Sequence, residues 1–338
     1  LDASTLGKID IQGPDSREFL NRIYTSDWSR LSVGRCKYGI MCTEDGMVFD
    51  DGVTACIGEQ HFLMTTTTGG ASRVLEWLEA WLQTEWPELR VFCNSVTDHW
   101  ATIAISGPSA RKLLSNVTDI DLGGQVFRFM DWREGLVAGI PARVFRISFT
   151  GELSYEINVQ ADYATTVWDS LIEHGESYKI CPYGTETMHI LRAEKGFIIV
   201  GQDTDGSVTP KDLGLDWAIA KHKGFSFLGE RGMERADCLR NSRKQLVGLK
   251  TLDRTKVLKE GAQIVLDSKQ RERMNMVGHV TSSYFSPTMD HSIALALIEN
   301  GQQRYGKTVH VSHENREFQA AEICSPVFYD PDGARQNV

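Results

Sequence analysis

Three stretches of the chain carry more polar side chains than packing requires. In Phe49-Asp50-Asp51-Gly52-Val53 two carboxylates interrupt a strand-like run. Successive strand residues face opposite ways, so one carboxylate turns inward if the other meets water. A half-buried carboxylate has a raised pKa and works as an acid, a base or a stabiliser of positive charge. The plain alternative is an Asp-Gly turn with both acids solvated. In Phe149-Thr150-Gly151-Glu152-Leu153-Ser154-Tyr155-Glu156-Ile157-Asn158-Val159 a Thr-Gly-Glu turn leads into a strand on which Glu156 alternates with Tyr155 and Ile157. On an inner face that Glu needs a partner, because an unpaired buried charge is costly, and a heterocycle with an amidine-like edge offers two donors. On an outer face it is ordinary surface. The third stretch joins Glu194-Lys195-Gly196-Phe197 to Val200-Gly201-Gln202-Asp203-Thr204-Asp205-Gly206. It has two acids ahead of a Gly but lacks the other ligands of a calcium loop, so a structured loop is expected. No G-x-G-x-x-G follows a strand, and P-loop, H-E-x-x-H and G-x-S-x-G are missing, which leaves dinucleotide, triphosphate, zinc-protease and serine-hydrolase chemistry without support.

The elements that hold these stretches come as a repeat. Ile9-Asp10-Ile11-Gln12-Gly13-Pro14-Asp15-Ser16-Arg17-Glu18-Phe19-Leu20 returns as Ile103-Ala104-Ile105-Ser106-Gly107-Pro108-Ser109-Ala110-Arg111-Lys112-Leu113-Leu114. Each copy reads as an alternating strand, Gly-Pro, a small or polar N-cap and an amphipathic helix. The first copy continues into strands at 35–41, 46–57 and 61–66, with a hairpin turn at Asp45-Gly46. A helix over 71–84 then carries Val74, Trp77, Leu78, Trp81 and Leu82 as a core-facing stripe. The second copy has strands at 102–106, 142–148 and 154–159, helices at 110–114 and 163–173, and a further helix over 183–195. From 244 onward only strands follow, at 245–249, 262–266, 276–282, 293–298, 308–311 and 319–323. The expected fold is therefore α+β: two ferredoxin-like units, 1–97 with Asp50-Asp51 and 98–243 with Glu156, and a β-barrel or sandwich over 244–338. The polar run 230–242 is the connector.

At 338 residues with 41% hydrophobic and 24% charged residues, the composition is that of an ordinary globular protein of two or three domains. No stretch approaches the roughly 20 apolar residues that cross a bilayer, so a soluble protein without a membrane partner is expected. A net charge of −9 argues against nucleic acid as the main partner, which needs a basic face. The seven cysteines are scattered without a two-residue gap, as small buried hydrophobes in a reducing, cytoplasmic setting would be. Residue 1 is Leu and the opening lacks the regions of a signal peptide, so a piece of something longer is expected.

Taken together, the Gly-Pro repeat, Val48-Phe49-Asp50-Asp51, Thr150-Gly151-Glu152 through Tyr155-Glu156-Ile157, Leu191-Arg192-Ala193-Glu194-Lys195-Gly196 and Val280-Thr281-Ser282-Ser283 resemble the aminomethyltransferase family, the T-protein of glycine cleavage, over almost the whole chain. Three further runs are similar to the folate-binding C-terminal half of heterotetrameric sarcosine oxidase alpha subunits. These are Tyr183-Gly184-Thr185-Glu186-Thr187-Met188-His189, Val200-Gly201-Gln202-Asp203-Thr204-Asp205-Gly206 and the ending Ser325-Pro326-Val327-Phe328-Tyr329-Asp330-Pro331.

The resemblance implies a cloverleaf of three domains around a central hole holding tetrahydrofolate, with a leading segment of the first domain ahead of Leu1. It implies that flavin-bearing subunits oxidise sarcosine, that FAD, FMN and NAD sit on other parts of the complex, and that this chain captures the iminium or formaldehyde on tetrahydrofolate. The products are 5,10-methylenetetrahydrofolate and glycine. Matched by position, Asp51 orients and helps deprotonate folate N5, Glu156 grips the amino-pyrimidine edge, and Tyr38 contacts the ring. The family's Tyr-Thr-Gly-Glu is Phe149-Thr150-Gly151-Glu152 here, and an Arg of its helix is Met188. Both folate-site departures disfavour a lipoyl carrier and agree with a freely delivered one-carbon unit. Competing readings are a stand-alone aminomethyltransferase-like protein, a non-catalytic folate-binding module and a scaffold for a flavin subunit. The sensor or RNA-modification branch of the fold carries Lys-Gly-Cys where this chain has Lys195-Gly196-Phe197.

Overall fold

On β1 (Gly7–Gln12) Ile9 and Ile11 alternate with Lys8, Asp10 and Gln12, which gives the strand one apolar and one polar face. The apolar face is covered by α1 (Ser16–Ile23) and α2 (Ala71–Thr84), which bury Phe19, Leu20, Ile23, Val74 and Leu78 against Phe62 and Met64. Three of the stripe residues of α2, Trp77, Trp81 and Leu82, are half-buried, and the two tryptophans pack edge to face at 6.3 Å. With β2 (Cys36–Cys42), β3 (Val48–Gly58), β4 (His61–Thr66) and β5 (Phe92–Ser95), β1 forms an antiparallel sheet in the order β2-β3-β4-β1-β5. With β2 set aside, this is the β-α-β-β-α-β order of a ferredoxin-like unit. The computed structural model describes residues 1–268, 274–314 and 317–338.

The second copy builds β6 (Trp100–Ser106), α3 (Ala110–Leu114), β7 (Trp132–Val137), β8 (Ile140–Phe145), β9 (Ser154–Gln160) and α4 (Ala164–Gly175), with sheet order β6-β9-β8-β7. Leu113, Leu114, Val167 and Leu171 cover its apolar face. Residues 1–3 run beside β6, the Leu1 amino group donating to the Ala104 carbonyl at 3.0 Å and Ala3 N–H to the Thr102 carbonyl at 2.8 Å. The strand β7 lies outside the sequence expectation. It is an edge strand, and Arg133, Glu134 and Gly135 break the apolar alternation that would have announced it. The expected polar N-caps stand at the cap positions but do not cap. Neither the Asp15 nor the Ser109 side chain bonds its own helix, and the Asp15 carboxylate instead accepts from the Arg90 backbone and side chain at 2.8 and 3.1 Å.

The two sheets lie back to back with their helices outside. Cys36, Ala55 and Leu63 of the first meet Trp132, Phe145 and Ile147 of the second, and the Trp132 indole donates to the Cys56 carbonyl at 3.0 Å. The open choice between barrel and sandwich resolves as a closed barrel: β10 (Lys244–Thr251), β11 (Gln263–Val265), β12 (Met276–Ser286), β13 (His291–Glu299), β14 (Thr308–Ser312) and β15 (Phe318–Cys324), in the order β10-β13-β12-β11-β14-β15. Closure pairs every strand and removes the edges. The barrel's outer residues Leu246, Leu295 and Leu297 pack on Ile40, Cys42 and Val48 of the first sheet, and on Ile198, Leu213 and Ala218 beyond α5 (Thr185–Glu194). The connector opens with a single turn, α6 (Glu230–Met233). All seven cysteines are free and four are buried. No helix among the described residues is long and apolar enough to cross a membrane.

Candidate functional site

Asp50 and Asp51 lie on a continuous strand, not in a turn, and the pleat of β3 sends them to opposite faces. Asp50 is fully buried on the helix side, where it accepts from the Thr67 N–H at 3.1 Å and the Thr67 hydroxyl at 2.8 Å and holds the turn that starts α2. A Cβ on Gly70 would come within 1.9 Å of this carboxylate, so the turn closes on it only with Gly there. Burial raises the pKa of Asp50, and these hydrogen bonds oppose the rise. Asp51 shares the other face with Val53 and Ala55 and is half-buried. Among the described residues the one hydrogen bond to its carboxylate comes from Tyr38, whose hydroxyl donates at 2.6 Å from the neighbouring β2. Desolvation pushes Asp51 up to about 7, assisted by the Asp50 charge and opposed by the Tyr38 hydrogen bond. Tyr38 is held well above its ordinary value, chiefly by burial and then by the Asp51 charge. Its ring sits 5.7 Å from that of Trp217, which is 70% exposed on the turn Asp216–Ala218.

The facing sheet presents a row of polar pairs. On β9 the period of two puts Ser154, Glu156 and Asn158 on the inner face, opposite Ser106, Ala104 and Thr102 of β6. Ser106 and Ser154 share a hydrogen bond of 2.7 Å, Tyr183 joins Ser106 at 3.1 Å, and the Thr102 hydroxyl donates to Asn158. Glu156 between them faces a methyl group, and no described residue donates a hydrogen bond to its carboxylate. Desolvation lifts Glu156 from its ordinary 4.5 to about 7, and the Lys8 charge opposes the rise. Glu156 lines a narrow cavity between the sheets with Asn158, Phe145, Lys8, Thr65 and Val53, and its volume of about 10 Å³ is room for about one water molecule. Asp51, two residues from Val53 on the same face of β3, does not line that cavity, so the two perturbed acids stand on facing sheets at separate places. Acids perturbed in this way are common where chemistry is done.

Of the other residues singled out in the sequence, Phe149 is half-buried and stacks on Phe197 at 6.2 Å, and Met188 is half-buried on α5. Sequence reasoning missed Lys8, Asn158, Tyr183 and Trp217. The alternation Ser154-x-Glu156-x-Asn158 was a visible signal for Asn158. Nothing local distinguishes Lys8 from a surface lysine.

The third polar stretch is structural. Arg192 and Asp203 are both 0% exposed and form a buried ion pair. Asp203 also accepts from Ile199 N–H at 2.9 Å, Thr281 at 2.5 Å and Ser282 at 2.7 Å, while Arg192 reaches the Phe197 carbonyl, Ser282 and Tyr284. This knot locks α5 and the following loop to β12. Among the described residues no group of His, Cys, Asp and Glu is placed to hold a metal ion.

Residues 1–223 match the GCVT N-terminal domain and residues 244–330 the glycine cleavage T-protein C-terminal barrel domain. The chain is 50% identical to the sarcosine oxidase subunit alpha of Corynebacterium sp. (strain P-1), in a match covering 100% of this chain and 35% of that protein. It is 29% identical to an aminomethyltransferase of Halothermothrix orenii, over 93% of this chain and 84% of the relative. It thus spans about a third of the length of the curated sarcosine oxidase relatives it matches. Its fold is that of the glycine cleavage system aminomethyltransferase T from Bartonella henselae, with a TM-score of 0.83 at 23% identity over 97% of this chain and 85% of that one.

Proposed function

This chain belongs to the glycine cleavage T-protein family, and on that premise we propose that it is the tetrahydrofolate-dependent one-carbon transfer part of a sarcosine oxidase alpha subunit. The observation that carries this reading is Glu156: a desolvated carboxylate in a row of satisfied polar pairs, left without a donor and facing a cavity. Two acceptor oxygens in that position fit the paired N–H donors of an amino-pyrimidine edge. Tyr38, Phe149 and Met188 contribute further contacts to the ligand. Bound tetrahydrofolate would supply two nitrogens that take up a one-carbon unit as 5,10-methylenetetrahydrofolate.

Asp51 does the proton work. At about 7 its carboxyl would be poised to take the N5 proton as N5 adds to the iminium carbon, to give it to the glycine nitrogen as that C–N bond breaks, and to take the N10 proton as N10 bonds the same carbon. Tyr38 holds the accepting oxygen in place. The iminium or formaldehyde comes from sarcosine, oxidised by flavin-bearing subunits that act beside this chain in the cytoplasm. Three domains, 1–97, 98–243 and 244–338, divide the labour between the Asp51 face, the Glu156 face and the barrel that closes on both.

Calorimetric titration of tetrahydrofolate into the wild-type chain and Glu156→Ala tests this. Saturable binding is expected for the wild type, with at least a roughly hundredfold loss in the variant, since charge-assisted hydrogen bonds contribute about 1.5–3 kcal/mol each. Equal affinities would remove Glu156 from the site.

A further inference from the structure

We propose that Lys8 is a positioning residue for the ligand-binding carboxylate, a buried positive charge that holds Glu156 in its two-acceptor form. The identity of the ligand rests on the folate reading above; the pairing of the two side chains does not.

Lys8 stands on β1 and Glu156 on β9, so they reach the same cavity from opposing sheets. Lys8 is 2% exposed, and its ammonium donates to the carbonyls of Ser4 and Leu6 at 3.0 and 3.1 Å. Those carbonyls satisfy protons without cancelling charge, and Lys8 forms no close ion pair among the described residues. Glu156 has the converse arrangement, a charge with no donor. Opposite charges across a poorly solvated gap attract, and removing one leaves the other buried and uncompensated. The protonation state matters because a carboxylate accepts on both oxygens, whereas a carboxylic acid presents a donor that opposes an N–H edge.

The surroundings point the same way. Burial lowers the Lys8 pKa, and the Glu156 charge is the largest influence opposing that fall, ahead of Asp2 and Asp98. Among the described residues Lys8 is the charge that acts on Glu156 to favour its ionised form. The other groups that feel Glu156, Cys36 and Tyr183, carry no positive charge.

The test is carbon-13 titration of the glutamate carboxyls in the full chain, with Glu156→Gln assigning the signal. Lys8→Gln keeps a donor for Ser4 and Leu6 and drops the charge, Lys8→Met is a second charge-free variant, and Lys8→Arg keeps the charge. The charge-free variants are expected to raise the Glu156 midpoint by about one unit, while Lys8→Arg stays near the wild type. An unmoved midpoint in a folded charge-free variant overturns the proposal. Tetrahydrofolate binding gives an independent arm. Lys8→Gln should lose affinity about fivefold near neutral pH and recover it about two units higher, where Glu156 is ionised in either protein. An equal loss at every pH marks a structural role and overturns the proposal. A wild-type chain that binds no folate would overturn the folate reading, and the carboxyl titration would still decide the role of Lys8.

Discussion

Asp203 is fully buried and Glu156 is half-buried, and the two carboxylates are treated in opposite ways. Asp203 sits on Arg192 and accepts from Thr281, Ser282 and the Ile199 N–H. No described residue donates a hydrogen bond to the Glu156 carboxylate, although Ser154 and Asn158 on either side of it are paired across the strand. Burying a charge is costly unless it is paired and hydrogen-bonded. A satisfied cluster therefore reads as architecture, and the unsatisfied Glu156 is the acid that the proposed folate reading assigns to a ligand. Asp50 and Asp51 repeat the contrast at neighbouring positions: the first is used up in starting α2, while the second keeps a single partner and an open side.

The contrast can be broken most forcefully at the knot. Arg192→Met strands Asp203 without its cation and should cost roughly 3–5 kcal/mol of stability, read as a lowered denaturant midpoint. A loss under about 1 kcal/mol would mean that the knot does not lock α5 to the barrel. At the open site the effect should fall on chemistry. Asp51→Asn is expected to lower one-carbon transfer from formaldehyde to tetrahydrofolate by about 10²–10⁴-fold while the chain stays folded. Full transfer activity in that variant would reduce the site to a binding module.

The smallest effect sharpens the comparison by its sign. Because burial raises Glu156 from 4.5 to about 7, the folded chain holds a proton there that the unfolded chain has released. The stability contributed by that proton is complete below about 4.5 and is lost as pH rises through about 7. Glu156→Gln removes the loss, so the variant should gain on the wild type between pH 5 and 8, by the order of 2 kcal/mol given about 1.4 kcal/mol per pKa unit. Urea midpoints at the two pH values measure it, and parallel behaviour of the two proteins would show Glu156 to be solvated. If Glu156 serves the proposed ligand, a gain in stability on its removal is the expected cost of keeping a carboxylate ready for it.

Much of this fold was legible in the residue order. The Gly-Pro repeat, the stripe of α2 and the evenly spaced strands after 244 announce their elements because apolar periodicity is local, set by each residue and its neighbours a few positions away. The same holds for the alternation that places Ser154, Glu156 and Asn158 on one face. Where local signals are weak the reading fell short: β7 carries Arg133, Glu134 and Gly135 at a sheet edge, and Asp15 looks like a cap but is drawn away by Arg90.

Residue types and spacing thus determined which elements form and which acids were available for chemistry. They could not decide between Asp50 and Asp51, two identical neighbours on one strand. What the structure adds is their different surroundings, Thr67 and Gly70 on one side of the sheet and Tyr38 on the other. Nor could they single out Lys8, whose charge acquires meaning only because two sheets stack and enclose it with Glu156. The reason is physical: hydrogen-bond satisfaction and desolvation are properties of an enclosed space, and the walls of this one come from segments far apart in the chain.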